Sequence, residues 1–185
     1  MTEEFDVSQV AGNAPEEIKR SLGNAKAYFA SFRKPGQRQL NMFGKAIQER
    51  LKVTELSIVK KAEEPNKVEG RAVLELDVAE DMVNGGGNMH GGCSAFLIDM
   101  ASSFALTLMN ISETGKVLPS VSQALNIVYH SPAAIGDKLR LVNTTMTVGK
   151  RIESVRTEIW NDTHHRLVAS GIHIKMMPSP PKAAL

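Results

Sequence analysis

The chain has 185 residues, 42% hydrophobic and 23% charged, with a formal net charge of +2. This is the composition of one ordinary soluble domain with an extension, long enough to bury a sizeable core. Scattered Lys and Arg with two tyrosines and one tryptophan exclude a nucleic-acid surface, and the single cysteine, Cys93, excludes an internal disulfide and fits a reducing compartment.

The opening MTEEFDVSQV is acidic, unlike a secretory or transit peptide, and the closing PKAAL is not a peroxisomal address. Residues 1–12 read as a loose tail. Asn13 followed by Pro15, Glu16 and Glu17 reads as a helix start. Ile18, Leu22, Ala25, Phe29 and Phe32 then form one apolar stripe, which Gly36 interrupts. Leu40, Met42, Phe43 and Ile47 suggest a second, shorter helix. Residues 1–50 are thus a tail and helical extension laid against a main domain of residues 51–176. Residues 177–185 form a Pro-rich tail expected to be disordered.

From Leu51 the period changes to that of strands. Residues 51–61 and 68–78 are predicted strands with a turn at Glu64-Pro65-Asn66, and Ala72, Leu74, Leu76 and Val78 alternate with Arg71, Glu75 and Asp77. A glycine-rich turn follows, then a helix from about Gly91 to Met109 that is apolar on every side and carries one charge, Asp99. Such a helix is normally buried in something larger. Its polar residues and the lack of flanking anchors argue against a membrane span. Four more strands are predicted at 120–130, 138–149, 152–161 and 166–176. The architecture is α+β: a curved, mostly antiparallel sheet wrapped about one long helix. One domain covers only part of such a helix, so a homodimer is expected.

A mid-helix carboxylate in apolar surroundings is costly unless it is paired or faces a cavity. The helix start offers unpaired N–H groups and the positive end of the dipole, with no side chain at Gly91 or Gly92 to block approach. That suits an oxygen becoming negative, as in acyl transfer. Asp99 suits water activation or direct attack. Gly91 and Asp99 are about 12 Å apart along a helix at ~1.5 Å per residue, too far for one helix to serve both ends of a tetrahedral intermediate. Two antiparallel helices across a two-fold axis would bring Asp99 of one chain beside Gly91 of the other, giving two equivalent sites.

The block Asn84-x-x-Gly87-x-x-His90-Gly91-Gly92, with Asp99 nine residues after the His, resembles the hotdog-fold acyl-CoA thioesterases. It is nearest the group holding the bacterial phenylacetate-pathway thioesterase and the mammalian thioesterase superfamily member of mitochondria and cytosol. Ser120–Gly136 resembles that group's next strand, with its Ser, Asn-x-x-Tyr and Ser-Pro turn. The resemblance runs from about residue 51 to 176 and leaves the first 50 residues unexplained.

It implies that the Gly91 N–H polarises the thioester carbonyl with Asn84 assisting. Asp99 of the facing subunit orients and activates water, Ser122 hydrogen-bonds that water or the Asp, and His90 supports the loop. It further implies an acyl-CoA substrate, no metal or cofactor, dimers often paired into tetramers, and a cytoplasmic or, alternatively, mitochondrial location. Ser120, two residues earlier, competes with Ser122 for the serine role. Cys93 reads as a small buried residue. His164 and His165 read as solvated, and His130 and His173 as strand residues without a role. Lys150, Arg151 and Arg156 are candidates for coenzyme A phosphates, equally explained as an exposed strand end. Two other readings remain: a hotdog hydratase or dehydratase pairing His90 with Asp99, and a non-catalytic acyl-CoA-binding protein.

Overall fold

The computed structural model describes residues 5–32 and 42–178. Gly36, Leu40 and all but the first two residues of the C-terminal tail lie outside them. Six strands form one antiparallel sheet in the order β1-β2-β4-β5-β6-β3. They are β1 (Lys52–Lys60), β2 (Val68–Asp77), β3 (Val121–Tyr129), β4 (Lys138–Val148), β5 (Ile152–Asn161) and β6 (Arg166–Met176). Each lies within a residue or two of the segment that alternation predicts.

The central helix, α4, runs from Gly91 to Thr114, one turn beyond the predicted end, and Gly115 at φ +70 terminates it. A left-handed Gly closes a helix at no steric cost. α4 lies across the sheet, and its Leu97, Ile98, Ala101, Phe104, Ala105 and Leu108 are fully buried. It is long and apolar enough to cross a membrane, but most of it is buried in this fold. Two glycines let it lie close. A Cβ at Gly70 would meet Met109 and the Ala105 carbonyl at 2.7 and 2.8 Å, and one at Gly171 would meet Ile98 at 3.2 Å.

The extension departs from expectation in three ways. The first helix starts at Glu16 behind Pro15, because the Asn13 side chain bonds the Ile58 backbone N–H and C=O on β1 instead of capping. The apolar stripe is split into α1 (Glu16–Leu22) and α2 (Ala25–Ser31) by Gly23 and Asn24, whose side chain accepts from the Ala27 amide and opens α2 as a new helix. The described part of the leading segment is not loose, since Ala11 pairs with Glu55 in a parallel bridge and Val10 is buried. A third helix, α3 (Lys45–Arg50), carries buried Ile47.

α2 covers the flank of α4 turned away from the sheet. Tyr28 packs at a 47° tilt against Phe104, 4.5 Å between ring centroids, and its hydroxyl shares a 2.8 Å hydrogen bond with Thr107, both residues being buried. Tyr28→Phe keeps the ring and leaves the Thr107 hydroxyl without that partner. The expected loss is about 1–2 kcal/mol of stability, read as a lower urea midpoint at unchanged denaturant slope.

Candidate active site

The site is built from α4, β3 and β6. Asp99 lies about a third of the way along α4 with its side chain 38% exposed, opening on a cavity. Ser122, on β3, donates to Asp99 Oδ1 at 2.7 Å. A bulge at Gln123 aims it, because the pairing of β3 with β6 slips between Ser122 and Ala124. Bulges beside functional sites commonly redirect a side chain in this way. Ser120 instead lines the cavity near Asp99 without reaching its carboxylate through any hydrogen bond.

Behind Asp99 stands His173, given no role by sequence reasoning. It is fully buried on β6. Its Nδ1 shares a 2.7 Å hydrogen bond with Ser102, and its Nε2 lies 3.2 Å from Asp99 Oδ1, within ion-pair range but out of hydrogen-bonding alignment. Burial lowers the His173 pKa, against the pull of the Asp99 charge, so the ring is held towards neutrality. Lys175, two residues on, donates to Ser103 at 2.9 Å. Burial lowers its pKa as well, and raises that of Glu153, which accepts from Asn110 at 3.0 Å. The core therefore has a polar pole beside the middle and end of α4.

A base whose pKa is lowered by folding makes stability depend on pH. In the unfolded chain His173 titrates near 6.5. Below that value the unfolded state binds the extra proton first, so stability is present above ~6.5 and falls as pH drops from there towards the folded pKa. His173→Gln is expected to flatten that slope in urea unfolding between about pH 7 and pH 5.

The other half of the chemistry lies at the start of α4. His90 is the N-cap, and its Nδ1 accepts from the Gly92 amide at 2.8 Å. The Cys93 and Ser94 amides bond the His90 carbonyl. The Gly91 amide has no acceptor among the described residues. Its carbonyl accepts from Tyr129 at 3.1 Å, and that ring covers the glycine. The Asn84 Oδ1 accepts from the Gly86 and Asn88 amides, closing the glycine-rich turn and leaving its Nδ2 outside those bonds.

Four of the remaining candidates have a structural account. The Cys93 thiol is pushed up to about 11, chiefly by burial, far from a reactive thiolate. Exposed His164 lies 3.2 Å from Asp137, His130 bonds Ser170 at 2.9 Å, and Arg156 lies 3.4 Å from Glu158. Among the described residues no cluster of His, Cys, Asp or Glu suits a metal ion.

A free helix-end amide, a serine-held carboxylate and a sheet wrapped about one helix can be set beside known proteins. Residues 86–168 match the family model described as the thioesterase superfamily. Acyl-coenzyme A thioesterase 13 of Homo sapiens is 32% identical over 106 residues, 57% of this chain and 72% of that protein. The Mus musculus protein of that name is 33% identical over 105 residues, 57% and 71%. The chain belongs to the thioesterase superfamily. As a member it is a thioester hydrolase with the hotdog fold. Zebra fish thioesterase superfamily member 2 superposes with a TM-score of 0.61 at 26% identity, covering 83% of this chain and 95% of that one. The Mus musculus thioesterase superfamily member 2 gives 0.56 at 30%, covering 74% and 90%. The Escherichia coli PaaI protein from the phenylacetic acid degradation operon gives 0.52 at 26%, covering 59% and 73%.

Proposed function

We propose that this thioesterase hydrolyses an acyl-CoA to a carboxylic acid and coenzyme A, at two equivalent sites shared between two copies of the chain. The observation that carries the reading is Asp99, a carboxylate within an apolar helix, held by Ser122 at 2.7 Å and open to a cavity. The β3 edge beside it pairs with no strand among the described residues, and Val121, Val128 and Tyr129 are 49%, 58% and 58% exposed along it. A second copy across a two-fold axis covers that edge and brings its own Gly91 towards this Asp99.

Water held by Asp99 and Ser122 attacks the thioester carbon as Asp99 takes its proton. The carbonyl oxygen, now negative, is held by the Gly91 N–H of the other copy with the Asn84 Nδ2 assisting. Collapse breaks the C–S bond and returns the proton to the departing thiolate. His173 positions the carboxylate from behind. The Ser102 hydroxyl also lies 3.1 Å from the Asp99 carbonyl oxygen. With its proton directed there, Ser102 accepts from His173 Nδ1, and the ring stays neutral beside the carboxylate. The reaction uses no metal and no cofactor.

The test is thiol release from a panel of acyl-CoAs together with recovery of the free acid. Saturable binding without thiol release would replace this reading with a non-catalytic binding protein.

A further inference from the structure

Two cavities follow one another along the face of α4 turned away from the sheet. The smaller, about 180 Å³, has Asp99 in its wall and is bounded by Tyr28, Phe29 and Phe32 of the extension and by Met100 and Leu106. The larger, about 560 Å³, lies between α3 and the first turns of α4, against Phe43, Ile47 and Phe96. Positions 92, 96, 99, 100, 103 and 107 fall on one arc of a 3.6-residue helix, so both cavities border one strip of the helix surface. The Gln48 amide meets the Met100 sulfur across it at 3.7 Å. Met100 lines the smaller cavity, while Ile47 and Phe96, next to Gln48 and one turn before Met100, line the larger.

A thioester carbonyl beside Asp99 sends its two substituents in different directions. Coenzyme A is large and charged and needs an open route to water. The acyl group is the part that a small cavity ending in aromatic rings can hold. Its polar neighbours Ser103 and Lys175 already bond each other. A water takes ~30 Å³ of liquid and a methylene is of similar size, so a cavity of about 180 Å³ has room for about six such groups.

We propose that the N-terminal extension selects the acyl group, and that the Met100–Gln48 contact is the chain-length stop. Acyl groups of up to about six carbons fit as the chain stands, and opening the contact admits longer chains into the 560 Å³ cavity. This rests on the acyl-CoA thioesterase reading above and names its substrate class.

The experiment is kcat/KM for thiol release across straight-chain acyl-CoAs from acetyl to hexadecanoyl, for the native chain, Met100→Ala and Gln48→Ala. The native enzyme is expected to fall by about tenfold or more from hexanoyl to dodecanoyl, and Met100→Ala to raise the dodecanoyl-to-hexanoyl ratio by about tenfold. Gln48→Ala should move the profile the same way by less. Circular dichroism and the urea midpoint serve as the control that each variant is folded. Equal native turnover of short and long chains, or a Met100→Ala profile parallel to the native one, overturns the proposal and leaves the thioesterase reading intact. Absence of thiol release from every acyl-CoA by the native enzyme overturns both.

Discussion

Asp99→Asn is expected to lower kcat for thiol release by roughly two orders of magnitude or more. The substitution keeps the shape of the side chain, and its amide oxygen still accepts the Ser122 hydroxyl that now sits 2.7 Å from Oδ1. What is lost is the group that takes the proton of the attacking water. The helix-end amide is untouched, so substrate should still bind, and the loss should appear in kcat more than in KM. Stability is not expected to fall, because a neutral amide is easier to hold in an apolar helix than a carboxylate. Near-normal thiol release by this variant would remove Asp99 from the chemistry and leave Ser122 and His173 arranged around a structural acid.

The sheet and its helix were legible because their signals are local. Apolar and polar residues alternate in β2, so its limits could be read directly, and an all-apolar run broken only by Asp99 announces a buried helix. Ser122 was within reach too, although the bulge that aims it was not. At β6 the alternation is inverted and the same rule misleads. His173 and Lys175 point into the molecule while Ile172 is 39% exposed on the other face. β5 does the same, with Glu153 fully buried and Ile152 53% exposed. A reader following apolar periodicity assigns the isoleucines to the core and the polar residues to water. That is how the residues behind Asp99 were passed over. The inverted polar groups are held by partners on the inner face: His173 by Ser102, Lys175 by Ser103 and Glu153 by Asn110. The split between α1 and α2 was hidden for a different reason. The stripe through Ile18, Leu22 and Ala25 continues on one face through the break, and only the capping bond of Asn24 shows that the chain restarts.

Gly91→Pro addresses the other half of the site. Proline lacks the N–H and is well suited to the first position of a helix. The residue before it must be extended, and His90 already is, at φ -68 and ψ 136. No intrahelical hydrogen bond is lost, because the Gly91 amide makes none. The new Cβ would lie 3.3 Å from the Tyr129 ring, and Gly91→Ala brings that same contact while keeping the amide. With the donor gone, kcat is expected to fall by about 10²–10³, and by much less for the alanine variant.

Mixing the two inactive chains then tests whether the site is shared. In a dimer of one Asp99→Asn chain and one Gly91→Pro chain, one site carries both defects and the other carries neither. Random assembly of equal amounts makes half the dimers mixed, so about a quarter of all sites should be intact and about a quarter of native activity should return. If both groups of a site came from one chain, every site in the mixture would stay broken. Thiol release by the mixture would then remain at the level of the separate variants, and the two-fold arrangement would have to be given up even though each substitution alone had abolished activity.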